Sequence, residues 1–125
     1  MIHFKNVSKQ YKGSPALKQI NLHIKPKEFV SIIGQSGAGK TTLSKLLIAQ
    51  ELPSHGSITI GGWDITGIKN YEIPYLRRQI GVVYQDFSLL EGKTVAENIS
   101  YALEVAGVPT KKLSKLLNHC SILLV

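Results

Sequence analysis

Cysteine is almost absent: Cys120 is the only one. A single thiol excludes an internal disulfide and a thiolate-rich metal cluster. In its apolar setting, "CSILLV", it reads as a small hydrophobe. No stretch approaches the ~20 apolar residues that a membrane span needs. The start, "MIHFKNVSKQ", has no apolar core ahead of a small-residue cleavage site, so the chain reads as neither secreted nor membrane-spanning. His3, His23, His55 and His119 lack H-x-x-x-H spacing, and a structural or solvated role is expected of each. Internal repeats, low-complexity segments and interdomain linkers are missing too. Acidic side chains are few, with eight Asp+Glu against fifteen Lys+Arg and a formal charge of +7. Such a surplus favours anionic partners. The basic residues are scattered, however. Lys111-Lys112 and Arg77-Arg78 make no basic arm, and no aromatic-basic pattern accompanies them, so direct nucleic-acid binding is not expected. A chain separated from an acidic half would carry the same surplus, and that explanation is preferred.

What is present fits one small domain or part of a larger one: 125 residues, 43% hydrophobic. Ile2 and Phe4 alternate with polar residues, as do Leu17, Ile20, Leu22 and Ile24, which predicts two half-buried strands. Gly13-Ser14-Pro15 between them predicts the turn of an antiparallel pair. "FVSII" and "IGVVY" are continuous apolar, β-branched runs, the pattern of strands covered on both faces. "KTTLSKLLIAQE" has helical spacing and is expected to stop before Pro53. "GSITIGG" predicts a further strand, and "NYEIPYLRRQ" a helical turn around Pro74. "TVAENISYALEVAG" is the clearest helix. Thr94 and Glu97 make a capping box, Val95, Ile99, Ala102, Leu103 and Ala106 form one apolar stripe, and Gly107 supplies the stop.

Between "FVSII" and the helix lies "GQSGAGKT", in which Gly34, Gly39, Lys40 and Thr41 match G-x-x-x-x-G-K-[ST]. Glycines permit turns that aim successive N–H groups inward, and the helix start adds its own unpaired N–H groups and positive dipole end. Lys40 brings a full charge to the β- and γ-phosphates, and Thr41 offers a hydroxyl to Mg²⁺. A charge-assisted hydrogen bond of this kind contributes roughly 1.5–3 kcal/mol. The loop therefore reads as a nucleoside triphosphate site with Mg²⁺.

Beyond this loop, from about Met1 to Ala106, the chain resembles the nucleotide-binding domain of ABC-type ATPases. "GQSGAGKTT" is similar to that family's Walker A, and "RRQIGVVYQDFSLL" to its Q-loop region. The resemblance implies an α/β fold: a P-loop NTPase core of ABC type with an N-terminal antiparallel β-subdomain, stopping before the signature and Walker B. It divides the chain into a mainly β-subdomain (1–30 and 56–62), a P-loop and helix (31–55), a Q-loop region with the following helix (80–107), and the start of a helical subdomain with a divergent tail (108–125). It implies ATP as ligand and extends the phosphate-binding set to Gln35, Ser36, Gly37, Ala38 and Thr42. It implies that Tyr11 stacks on adenine, and that Gln85 approaches Mg²⁺ and the attacking water, making Thr41 and Gln85 the metal-side residues. Phe87, Leu89 and Leu90 would lie near a partner's helix, with ordinary packing as the equal alternative. Asp86 mimics a Walker B aspartate, but "QDFSLL" suits the Q-loop better. Asp64 and Glu97 are weaker metal candidates, Glu97 being explained by its cap.

Within the family the strings "GQSGAGKTTLSKLL", "IPYLRRQIGVVYQDFSLL" and "TVAENISYALEVAG" are most similar to the cell-division ATP-binding proteins. Amino-acid and lipoprotein export ATPases share several of them. The implied setting is the inner face of the cell membrane, as a homodimer of the complete protein on a permease-like partner, FtsX for the cell-division type. The sequence departs from the family in its second half. Leu113-Ser114 is followed by Lys115-Leu116 where the signature has glycines, and no strand ending in Asp-Glu appears. Turnover needs a positioned nucleophile and charge stabilisation at the γ-phosphate, so hydrolysis by this chain alone is not expected. Three readings stay open: part of an ATPase, a nucleotide-holding module, or an inactive remnant. "FVSII" and "IGVVY" have few strands to pair with, which predicts exposed apolar faces and low stability.

Overall fold

A computed structural model describes residues 1–85, 89–109, 111–113 and 117. These fall into two compact units, Met1–Gly81 and the residues from Val82 onward. In the first unit, β1 (Ile2–Tyr11) and β2 (Ser14–Ile24) pair antiparallel. β3 (His55–Ile60) pairs antiparallel with the other edge of β1, and the short β4 (Trp63–Asp64) with β3. The sheet order is β2-β1-β3-β4. The alternation seen in the sequence is the pleat: Phe4, Ile58 and Ile60 turn to the core, and the residues between them take the opposite face.

The hairpin turn sits one position earlier than the sequence suggests. Lys12 and Gly13 have φ of 46° and 86°, the double left-handed conformation of a two-residue turn whose twist matches the flanking strands. Ser14 and Pro15 already belong to β2, Pro15 opposite Gln10. β2 is an edge strand, where a residue without an N–H is tolerated.

Helix α1 (Lys40–Leu47) buries Leu43 and Leu46 in the cluster formed by Phe4, Val7, Leu17, Ile58 and Ile65. It ends well before Pro53, because Ala49 turns left-handed at φ 48°. Ala49 N–H then donates to Leu46 O (3.1 Å) and Gln50 N–H to Lys45 O (2.9 Å), a Schellman pair that closes the helix. Helix α2 (Ile73–Arg77) carries Pro74 in its first turn, where a missing N–H costs nothing. Its Arg77 donates to Ile48 O (2.9 Å) and Ala49 O (3.3 Å), putting a cation on the carbonyl end of α1.

The two strands expected to be covered on both faces are not formed. "FVSII" has no ladder, with Phe29 93% and Ile33 90% exposed, and Val83 in "IGVVY" is 99% exposed. The physical reason is pairing. A run suited to burial on both faces still needs neighbouring strands for its N–H and C=O groups, and among the described residues the only ladders are those of β1 to β4. The exposed apolar faces that the sequence predicts are therefore present.

In the second unit, helix α3 (Val95–Val105) opens on the expected capping box. Glu97 N–H donates to Thr94 Oγ1 at 3.2 Å, and Thr94 N–H to Glu97 Oε2 at 2.7 Å. Gly107 N–H on Glu104 O and Val108 N–H on Leu103 O close it. The apolar stripe is there, but α3 buries no residue and Val95 is 65% exposed. No helix among the described residues is long and apolar enough to cross a membrane. Asp86, Phe87, His119 and Cys120 lie outside the described residues.

Candidate functional site

The loop from Gly34 to Gly39 leads into α1 without a side-chain cap. The N-cap is Gly39 itself, left-handed at φ 89° and ψ 4°. Its place allows no side chain: a Cβ would come within 2.6 Å of both Ala16 O and Leu17 Cδ2 on β2. The loop end is thus seated directly on the hairpin, and the start of α1 is fixed to the sheet. Gly37 is also left-handed, at φ 80°, but in open space. Between them Ala38 N–H donates to Gln35 O at 3.2 Å, turning the chain through Ser36 and Gly37.

Lys40, the first residue of α1, curls back over the loop. Its Nζ donates to Gly34 O and to Gln35 O, both at 2.7 Å. An ammonium has three donors, so two hold it in place and one is left for an anion among the described residues. No acidic residue occupies the first turn of α1, so nothing there opposes negative charge at its positive end. Thr41 and Thr42 follow in that turn with their hydroxyls. Left-handed glycines, a held ammonium, hydroxyls and a helix start form a donor set suited to a polyphosphate and to a hard, oxygen-seeking cation such as Mg²⁺.

Tyr11 ends β1 on the same hairpin whose Ala16 and Leu17 contact the loop end. Lys9, two residues earlier on the same face, brings its ammonium 5.1 Å from the Tyr11 ring centre. That ammonium is fixed by Glu51 Oε2 at 2.7 Å and Leu52 O at 2.8 Å. One face of the ring therefore meets a cation. Sequence reading missed Lys9, although the two-residue spacing on a strand was the available signal. Gln85 stands on an exposed turn in the second unit, and Leu89 and Leu90, farther on, are exposed as well. Glu97 is committed to its cap. The backbone N–H of Thr94, then its hydroxyl, then the nearby Lys93 hold the Glu97 carboxyl below its ordinary value of 4.5. Asp64 accepts from Thr66 N–H at 2.9 Å. Among the described residues no three His, Cys, Asp or Glu side chains converge on a metal position. A second hollow, of about 610 Å³, is lined by Trp63, Asp64, Lys69 and Glu72 among others. It has no sequence signature.

The family described as ABC transporter matches residues 17–124. The cell division ATP-binding protein FtsE of Haemophilus influenzae is 48% identical over 113 residues, covering 89% of this chain and 52% of that protein. FtsE of Bacillus subtilis is 47% identical over 116 residues, covering 92% and 51%. Among solved structures, a dimeric post-hydrolysis state of the ATP-binding cassette MJ0796, bound to ADP and Pi, superposes with a TM-score of 0.83 at 33% identity. It covers 96% of this chain and 55% of the cassette. The chain spans about half the length of the relatives it matches. Its loop-to-helix geometry and a match over most of its residues agree: the chain belongs to the ABC transporter family, in its ATP-binding part, and is similar to FtsE.

Proposed function

We propose that this chain is the N-terminal part of an ABC-type ATP-binding domain, FtsE-like, and that its loop holds ATP with Mg²⁺. The observation that carries the reading is Lys40, held by two loop carbonyls at the start of α1. The backbone of Gly34, Gln35, Ser36, Gly37, Ala38 and Gly39 wraps the phosphates, and Lys40 supplies the charge. Thr41 and Thr42 provide hydroxyls, Thr41 on the metal side. Bound Mg²⁺ neutralises part of the phosphate charge. Tyr11 offers its ring to the adenine, and Gln85 serves on the metal and water side. The domain limits are those read from the sequence: 1–30 with 56–62, 31–55, 80–107 and 108–125.

In the complete protein this part works as one subunit of a dimer on the inner face of the membrane. It couples ATP binding and hydrolysis to a permease-like partner, FtsX for the FtsE type. The relatives' name and the dimeric cassette support this reading. For the chain alone, holding nucleotide without turnover is the favoured behaviour, because its sequence has no apolar run ending in Asp-Glu to position water. Equilibrium binding of a fluorescent ATP analogue with Mg²⁺ tests the core of it. The folded chain should bind, and Lys40→Ala should weaken binding at least about tenfold, the equivalent of one lost charge-assisted bond. Equal binding by wild type and K40A, with both folded by circular dichroism, would reject the site. Phosphate release assayed in parallel should stay at background.

A further inference from the structure

The sheet carries a second set of donors on its outer face. On β1, Ile2 and Phe4 pack toward the core, as do Ile58 and Ile60 on β3. Their neighbours His3 and Thr59 therefore take the other face. The register places His3 opposite His23 on β2 and opposite Thr59 on β3, with Thr59 opposite Asp64 on β4. His23, His3, Thr59 and Asp64 thus form one row across all four strands. The two imidazole centroids lie 5.1 Å apart, with the ring planes tilted by 41°. No protein hydrogen bond or ion pair engages either ring among the described residues.

That spacing has a chemical meaning. Zinc binds imidazole nitrogen at about 2.0–2.1 Å. Adding roughly 1.15 Å from nitrogen to ring centre puts each centroid about 3.2 Å from a shared ion, and a tetrahedral angle then separates the centroids by about 5.2 Å. The observed spacing agrees. Both side chains stand on paired strands, so little reorganisation is needed to bring them together. Asp64 is two strands from His3, about 9–10 Å at the usual strand spacing, and its carboxylate serves Thr66 N–H. The ligands are accordingly two imidazoles, with solvent completing the shell, since among the described residues no cluster supplies a third side chain.

We propose that His3 and His23 form a bidentate imidazole site for a divalent first-row transition metal, with Zn²⁺ as the ion of matching geometry. Imidazole pairs favour Zn²⁺, Cu²⁺ and Ni²⁺ over Mg²⁺, so this site is chemically separate from the phosphate loop. Metal at this position ties β1 to β2 across the hairpin.

Isothermal titration of the full chain with Zn²⁺ at neutral pH, without nucleotide, tests it on a C120S background that removes the thiol as a competitor. One equivalent should bind. His3→Gln and His23→Gln should each weaken binding at least about tenfold, since a ligand weighs no less than an outer-shell partner. His55→Gln should leave it unchanged. The ring-proton resonances of His3 and His23 should shift together in the wild-type chain, a reading that stands even if a variant misfolds. Acidification should release the ion, because only neutral imidazole ligates. Absence of zinc binding, or binding undiminished in both H3Q and H23Q, would overturn the proposal.

Discussion

Replacing Gly39 by alanine tests the seating of the phosphate loop on the hairpin. The added Cβ carries two separable costs. The first is conformational: at φ 89° an L-residue is penalised by roughly 1–2 kcal/mol. The second is steric: the methyl would lie 2.6 Å from Ala16 O and from Leu17 Cδ2. The carbonyl belongs to a strand backbone and cannot rotate away. Overpacking of this kind costs typically about 1–3 kcal/mol. Gly37→Ala is the internal control, with a similar φ of 80° and nothing within 4 Å of the new methyl. G37A should therefore lose only the first amount, and G39A about 2–5 kcal/mol in all. In a domain of this size each kcal/mol moves the melting temperature by about 4–8 °C. Thermal melts followed by circular dichroism should place G39A at least several degrees below G37A. Equal melting temperatures for the two variants would refute the seating, since the loop end would then not be held against β2.

Other expectations follow from named contacts. Arg77→Met keeps the aliphatic stem but strips two donors from the end of α1, and should cost about 1.5–3 kcal/mol in urea denaturation. Thr94→Ala should cost about 1 kcal/mol at the start of α3, read as faster amide exchange at Val95–Asn98. The same box makes α3 sensitive to acid. The Glu97 carboxyl is lowered in the folded chain, first by the Thr94 backbone N–H. Its contribution is present above the unfolded value near 4.5 and is lost as pH falls through the lowered folded value, so exchange in α3 should quicken on acidification there. Phe29→Ser should change stability by no more than about 0.5 kcal/mol while reducing self-association in light scattering. Phe4→Ala should cost about 3–5 kcal/mol.

The sequence was a good guide wherever the cause of a structure is local. The Thr94–Glu97 box, the stop at Gly107, the alternation of β1 and β2 and the G-x-x-x-x-G-K-T loop each rest on residues a few positions apart. It was a poorer guide where the cause is distant. "FVSII" shows by composition which surroundings would suit it, but a strand exists only when a second strand pairs with it. The early end of α1 depends on Ala49 in a conformation usually left to glycine, and Arg77 reaches it from nearly thirty residues away. The grip of Ala16 and Leu17 on Gly39 joins segments that no motif links. Lys12, not Pro15, makes the hairpin turn, because the twist of the sheet selects it over the residue with the stronger turn preference.

A titration of the isotopically labelled chain with Mg-ATP, followed by backbone amide spectra, tests the central claim most directly. The account predicts saturable shifts concentrated at Gly34–Thr42, the loop whose carbonyls hold Lys40. Shifts confined to other places, such as the hollow around Trp63 and Glu72, or no saturable change in a folded chain, would contradict it.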